Sequence, residues 1–159
     1  MKQLASYLND HLAGSVAALE LLDHLIRTYE GKPLAKFFNG LRDDIRTDQE
    51  VLRKVLRKFK AKESAVRKAG GWIAEKFSRV KIQAGGEKVG EMGLVQAMEA
   101  LVLGITGKQL LWRALSASLG SSPLLKGVDL GALEERAIEQ IERVEAKRVE
   151  AACETFLNL

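Results

Sequence analysis

Apolar residues recur at every third or fourth position along most of this chain, which is the spacing of one face of an α-helix. The first stripe runs from Ala5 to Tyr29, and Gly31 follows it. A second stripe follows Pro33, which suits the first turn of a helix because the N–H that proline lacks has no partner there. The two stripes comprise Ala5, Leu8, Leu12, Ser15, Leu19, Leu22, Ile26 and Tyr29, and then Leu34, Phe38, Leu41, Ile45, Asp48, Leu52, Val55 and Phe59. The short connection between them predicts an antiparallel helical hairpin.

The second half of the chain has the same pattern. One stripe runs from Leu94 to Leu119, a loop with Pro123 and Gly127 follows, and Asp129 is a suitable N-cap for a last helix that continues to the C-terminus. These stripes comprise Leu94, Met98, Leu101, Ile105, Lys108, Trp112, Leu115 and Leu119, and then Leu133, Ala137, Ile141, Val144, Arg148, Ala151 and Ala152. A strip of small residues beside the third stripe favours close approach of another helix: Ala97, Ala100, Gly104, Gly107 and Ala114.

The connection between the two hairpins, residues 61–88, is long and contains a shorter amphipathic stripe from Val66 to Val80. Such a connection is long enough to return the chain to the other end of a bundle. We therefore predict an all-α fold: a single domain, residues 1–159, built as a four-helix bundle of two hairpins with a long crossover that contains an extra short helix.

Composition agrees with this prediction and excludes several classes of protein. Hydrophobic residues make up 47% and charged residues 29% of the chain, which is typical of a globular domain. Aromatic residues are only 6% and there are two prolines, which disfavours an all-β fold. The single cysteine, Cys153, excludes a disulfide framework and a cysteine-based zinc site. Asp10 and His11 interrupt any signal-peptide pattern, so we expect a cytoplasmic protein.

Positive charge is concentrated in one segment. Residues 53–81 contain eleven Lys or Arg and two acidic residues, whereas the whole chain has a net charge of +4. Such a segment can bind an anionic surface, either nucleic acid or acidic lipid, or a partner protein. The interpretation we favour is that it pairs with the acidic helix from Glu134 to Glu154 or is simply solvated, because surface charge seldom decides function.

Ionisable residues on or beside the apolar stripes are the unusual feature of the sequence, because a buried charge is costly unless it is paired or bound to metal. All four predicted helices carry at least one. Counting residues from the predicted helix ends places them near one layer of the bundle. They are Glu20, Asp44, Asp48, Glu99, Glu145 and Arg148.

This arrangement resembles the ferritin-like superfamily, whose di-iron members take a Glu from each of two helices and a Glu-x-x-His from each of the other two. Glu20 and Glu99 match the lone glutamates. The segments 44–47 and 145–148 fall where the Glu-x-x-His motifs would lie, but Thr47 and Arg148 occupy the histidine positions. The chain looks most like small, functionally uncharacterised bacterial members of the superfamily, and not like a storage ferritin.

If the resemblance holds, Arg148 takes the place of the metal charge. A guanidinium is permanently cationic, so we expect a metal-free core in which Arg148 pairs with Glu20, Glu99 or Asp48. Two alternatives remain open. The carboxylates can form a depleted iron or manganese site, or Glu20, Asp44 or Glu145 can be ordinary surface residues. The candidate metal ligands are Glu20, Asp44, Asp48, Glu99 and Glu145.

The function expected from these observations is that of a non-catalytic bundle, without cofactor or catalytic residues, in a structural or protein-interaction role and commonly a dimer. The first alternative is a di-metal oxidoreductase or metal-handling protein, and the second is a binder of anionic surfaces through residues 53–81. We do not expect nucleic acid as a partner. For Lys108, a snorkelling side chain or an ion pair is favoured over Schiff-base chemistry.

Overall fold

A computed structural model describes residues 2–63 and 90–158 of the chain. In these residues the fold is all-helical, as predicted, and contains no strand. The helices are α1 (Lys2–Thr28), α2 (Pro33–Lys58), α3 (Glu91–Leu119) and α4 (Leu130–Leu157), with a short 3-10 turn at Pro123–Leu125.

The helix boundaries follow the signals in the sequence. Gly31 has a φ of +77° in the turn between α1 and α2, a conformation that glycine adopts without the strain of a side chain. Pro33 occupies the first turn of α2. Asp129 caps α4, since its Oδ1 accepts a hydrogen bond from the N–H of Ala132 at 2.9 Å.

The core consists of two clusters of buried apolar side chains, one towards each end of the bundle. The first contains residues of α1, α2 and α3 such as Leu25, Phe38 and Val95. The second contains residues of the same helices such as Leu8, Leu56 and Leu115. Because α2 and α3 both run from the first cluster to the second, they are parallel to each other, and α1 and α4 run in the opposite direction.

It follows that α2 ends and α3 begins at opposite ends of the bundle, so the connection between them has to span its length. The predicted short helix from Val66 to Val80 lies outside the described residues. Among the described helices, none is both long and apolar enough to cross a membrane.

The strip of small residues on α3 is used inside the molecule. Ala97 and Ala100 are buried in the first core cluster. Gly107 faces α1, since a Cβ at this position would lie 4.0 Å from Cε1 of His11. Gly104 and Gly107 line a cavity between α1, α2 and α3, whereas the helix against which α3 packs most extensively is α4.

Candidate functional site

Asp48 on α2 is the most deeply buried acid in the described residues, with only 1% of its surface exposed. It lies one turn after Ile45 and one turn before Leu52, which are also buried, so the helical repeat turns its carboxylate into the bundle. The stripe in the sequence correctly predicted this position as inward-facing. A carboxylate in such a place requires partners.

Three side chains from the other hairpin supply those partners. Lys108 on α3 donates from Nζ to Oδ2 of Asp48 at 2.5 Å. Gln140 on α4 donates from Nε2 to the same oxygen at 3.2 Å, and Arg136 on α4 donates to Oδ1. Gln140 also accepts a hydrogen bond from Lys108 through Oε1. We call Asp48, Lys108, Arg136 and Gln140 the Asp48 cluster.

The two cations of the Asp48 cluster differ in their access to water. The side chain of Lys108 is 15% exposed, whereas that of Arg136 is 37% exposed. Burial lowers the pKa of Lys108, and the negative charge of Asp48 opposes this shift. Lys108 is thus the cation that depends on Asp48, while Arg136 retains contact with solvent. Of the two roles expected for Lys108, a snorkelling side chain or an ion pair, the structure shows the ion pair.

A cavity of about 280 Å³ lies beside the Asp48 cluster, between α1, α2 and α3. Its wall is mainly apolar and includes small residues that leave the space open, among them Gly14, Ala18 and Gly104. A few polar groups also line it: Tyr7, Asp10, His11, Ser15, Asp48, Gln49, Lys108 and Trp112. An apolar cavity with a small number of convergent polar groups is the usual form of a small-molecule site.

Two of these polar groups satisfy each other. Gln49 on α2 donates from Nε2 to Oγ of Ser15 on α1 at 2.8 Å, and the Ser15 hydroxyl donates to the carbonyl of Leu12 at 2.6 Å. Trp112 differs from them. Its side chain is fully buried, and its indole Nε1 has no hydrogen-bond partner among the described residues. Buried donors without an acceptor are rare, because each costs free energy comparable to a lost hydrogen bond.

His11 lies at the side of the cavity formed by α1. Its ring is packed edge-on against that of Tyr7, with 4.7 Å between the ring centroids. Burial lowers the pKa of His11, and the neighbouring Asp10 opposes this shift. The imidazole is therefore neutral at physiological pH.

This arrangement predicts a pH dependence of stability. Because the pKa of His11 is lower in the folded than in the unfolded protein, its contribution is complete above the unfolded value of 6.5 and is lost as the pH falls through the folded pKa. We expect His11→Gln to lose less stability than the wild-type protein between pH 7.5 and 5.5. Urea unfolding of both proteins at the two pH values measures this. Equal losses would contradict the prediction.

The other acids predicted for the site lie nearer the surface. Glu20 is exposed. Asp44 accepts a hydrogen bond from Arg143 at 2.6 Å, and both side chains are partly exposed. The interpretation that some of these acids are surface residues is correct for Glu20 and Asp44.

Of the three partners predicted for Arg148, namely Glu20, Glu99 and Asp48, the structure rules out Asp48, whose donors are Lys108, Arg136 and Gln140. Glu145 raises the pKa of Arg148, and the negative charge of Glu99 adds a smaller contribution in the same direction. Arg148 forms a bidentate pair with Glu145, one turn earlier on the same helix, at 2.6 and 2.7 Å. The buried stripe of α4 passes instead through Gln140 and Val144. Arg148 lies at the edge of this stripe, with its side chain 27% exposed.

The single layer of charges predicted from helix lengths is in fact two levels. In the first hairpin, Gln49 contacts Ser15 and Arg42 contacts Asp23. These contacts place Glu20 at the same height along the bundle as Asp44. In the second hairpin, Lys108 contacts Gln140 and Arg113 contacts Glu134. These contacts place Glu99 at the same height as Arg148. The contact between Asp48 and Gln140 then places the second pair about one helical turn away from the first.

The predicted metal ligands do not come together in the described part of the chain. No group of three His, Cys, Asp or Glu side chains there is arranged to hold a metal ion. Both oxygens of Asp48 already accept hydrogen bonds, and two of the three donors are cationic. A metal ion at this carboxylate would have to displace them.

Arg136, Gln140 and Gln49 were missed in the sequence. Gln140 had a detectable signal, because it follows Ala137 by three positions and precedes Val144 by four, which is stripe spacing. Arg136 and Gln49 had no such signal in the sequence. Each lies beside its stripe, and its partner belongs to a neighbouring helix.

The basic segment is described only as far as residue 63. Within that part, Arg53 contacts Glu50 at 2.7 Å, and Glu63 lies within 3.8 Å of both Arg53 and Arg57. Lys58 donates to the backbone carbonyl of Lys126. These cations are therefore paired locally or exposed, and residues 64–81 lie outside the described residues.

Comparisons of this chain with protein-family models, with curated proteins and with solved structures gave no significant match.

Proposed function

We propose that this protein is a non-catalytic, metal-free helical bundle that binds a small, largely apolar molecule in the cavity beside the Asp48 cluster. The observation that carries the proposal is the cavity of about 280 Å³ between three helices. Its volume is close to the lower end of the range for small-molecule sites. A dry apolar cavity of about 150 Å³ is already enough to hold benzene.

The hydrogen bonds made by the charged groups of the cluster support ligand binding rather than catalysis. Lys108 donates to both Asp48 and Gln140, so its amine is held as an ion pair and is not free to attack a carbonyl. The carboxylate of Asp48 is likewise occupied by its three donors. The cluster therefore forms a fixed polar wall of the cavity.

We also propose that the bundle is ferritin-like. The directions of the helices support this, because two antiparallel hairpins whose inner helices α2 and α3 are parallel require one long crossover, as in that superfamily. The dimer and the cytoplasmic location stay predictions from the sequence. So do the metal-handling alternative and the binding of anionic surfaces through residues 53–81.

The test is the effect of small molecules on stability. A ligand that binds the folded state alone stabilises it by about 2.7 kcal/mol at one hundred times its Kd. We expect Tm to rise with small aromatic and branched aliphatic compounds, and not with long polar compounds such as oligosaccharides. If no compound in a broad apolar panel changes Tm or the NMR signals of cavity residues, the proposal is wrong.

A further inference from the structure

Most of the polar side chains that line the cavity are already engaged or sealed. Gln49 donates to the hydroxyl of Ser15, and Lys108 is paired with Asp48. The indole nitrogen of Trp112 is buried out of reach of solvent. A hydrogen-bonding partner for a ligand therefore has to be sought elsewhere on the wall.

His11 on α1 is such a partner. No hydrogen bond to its imidazole comes from the described part of the chain, yet its ring nitrogens are not sealed as the indole nitrogen of Trp112 is. Tyr7 and Asp10 also line the cavity, but both are exposed to water, whereas His11 is only partly exposed. His11 is thus the polar group of the wall whose hydrogen bonds a ligand can best complete.

The edge of the imidazole that carries both nitrogens is turned towards α3. Its Cε1 atom, which is bonded to both nitrogens, lies 4.0 Å from the place that a Cβ on Gly107 would occupy. Gly107 lines the cavity from the side of α3, and because it has no side chain it leaves this edge of the ring uncovered. The nitrogens of His11 therefore lie at the border of the cavity, between α1 and α3.

The charges at the cavity favour an uncharged ligand. The carboxylate of Asp48 already balances the ammonium of Lys108. Burial lowers the pKa of His11, so that its imidazole is neutral. The remaining charged side chain of the described wall, Asp10, is exposed. An ionic group in the cavity would lose its hydration without gaining a buried counter-charge.

We infer that the ligand of this cavity is a small phenol or alcohol, with an apolar body and one hydroxyl group that forms a hydrogen bond with the imidazole of His11. This inference rests on the proposed function and specifies the class of its ligand. A neutral imidazole has one donor and one acceptor nitrogen, and a hydroxyl both donates and accepts, so it fits either tautomer. The apolar body fills the space beside Gly14, Ala18 and Gly104.

Phenol and toluene test this inference, because a hydroxyl in one replaces a methyl group of similar size in the other. Without a partner in the cavity, the hydroxyl would leave water uncompensated, and phenol would bind about tenfold more weakly than toluene. With His11 as its partner, phenol should bind to the wild-type protein about as tightly as toluene. Calorimetry measures both affinities.

His11→Phe removes the imidazole and keeps an aromatic ring beside Tyr7. In this variant, the affinity for phenol relative to toluene should fall about tenfold, while toluene still binds. His24→Phe is the matched control, because His24 lies on the same helix but does not line the cavity. It should leave the ratio of the two affinities unchanged.

The imidazole signals provide a second readout, which decides even if His11→Phe does not fold. The chain has two histidines, so His24→Phe leaves His11 as the single imidazole. In ¹⁵N-labelled protein of this variant, phenol should shift the signal of a ring nitrogen, because that nitrogen gains a hydrogen bond. Toluene should leave both signals nearly unchanged.

The outcomes separate this inference from the proposed function. If neither compound binds to the wild-type protein, both are wrong. If toluene binds and phenol does not, the cavity holds apolar molecules and the assigned hydroxyl is wrong. If both bind, but His11→Phe leaves the ratio of their affinities unchanged or phenol does not shift the ring nitrogens of His11, the inference is overturned and the proposed function stands.

Discussion

Replacing Asp48 by Asn should lower the free energy of unfolding by about 3–5 kcal/mol, the usual cost of removing one partner from a buried ion pair. The loss arises because Lys108 remains buried without its counter-charge, while Arg136 can turn towards solvent. For a chain of 159 residues, this corresponds to a decrease in Tm of about 10 °C. Chemical denaturation at pH 7 measures the difference directly.

Asp44→Asn is the matched control, because Asp44 lies one turn earlier on the same helix and also pairs with an arginine of α4. The pair of Asp44 with Arg143 is partly exposed, so its loss should cost no more than about 1 kcal/mol. The double variant Asp48→Asn, Lys108→Met removes the unmatched ammonium and should recover part of the loss. Equal effects of Asp48→Asn and Asp44→Asn would show that burial of the Asp48 cluster has no energetic consequence.

The second large effect is expected from Gly14→Leu, which should abolish ligand binding while stabilising the protein. Gly14 lines the cavity, and a Cβ placed there would have no atom within 4 Å. A leucine side chain therefore enters empty space and occupies the volume of the ligand. Because Gly is a poor helix former, the substitution should also raise the free energy of unfolding by about 0.5–1 kcal/mol.

Gly40→Leu is the control for this effect. Gly40 lies in α2 and is exposed, and a Cβ added to it would also have no atom within 4 Å, but it does not line the cavity. It should gain similar stability from helix propensity and bind ligand as the wild-type protein does. Affinity for a small aromatic compound that raises the Tm of the wild-type protein, measured by calorimetry, compares the two variants. Retained binding in Gly14→Leu would place the ligand elsewhere.

Local patterns in the sequence were enough to predict the helices and the inward position of Asp48. Apolar spacing identified all four described helices, and Asp129 correctly marked the beginning of the last one. The same spacing placed Asp48 and Lys108 on buried stripes. These predictions succeeded because they depend on the geometry of a single helix.

The partners of Asp48 and the cavity could not be predicted in this way, because they depend on how helices are positioned against each other. The rotation of α4 decides whether Gln140 or Arg148 points inward, and its apolar stripe was too irregular to fix that rotation. The cavity arises where Gly14 and Gly104 leave space between packed helices. Glycines at such positions are indistinguishable in sequence from other helical glycines, as Gly40 demonstrates.

The location of Asp48 and Lys108 between the two core clusters has a consequence for folding specificity. Apolar helix faces alone specify the axial alignment of helices less strictly than a buried polar group does, as single polar core residues show in coiled coils. A shift of one hairpin along the other by one turn would move Lys108 out of reach of Asp48 and leave two opposite charges buried apart. We therefore expect this charged pair to fix the axial alignment of the two hairpins and to disfavour packings in which they are shifted by one turn.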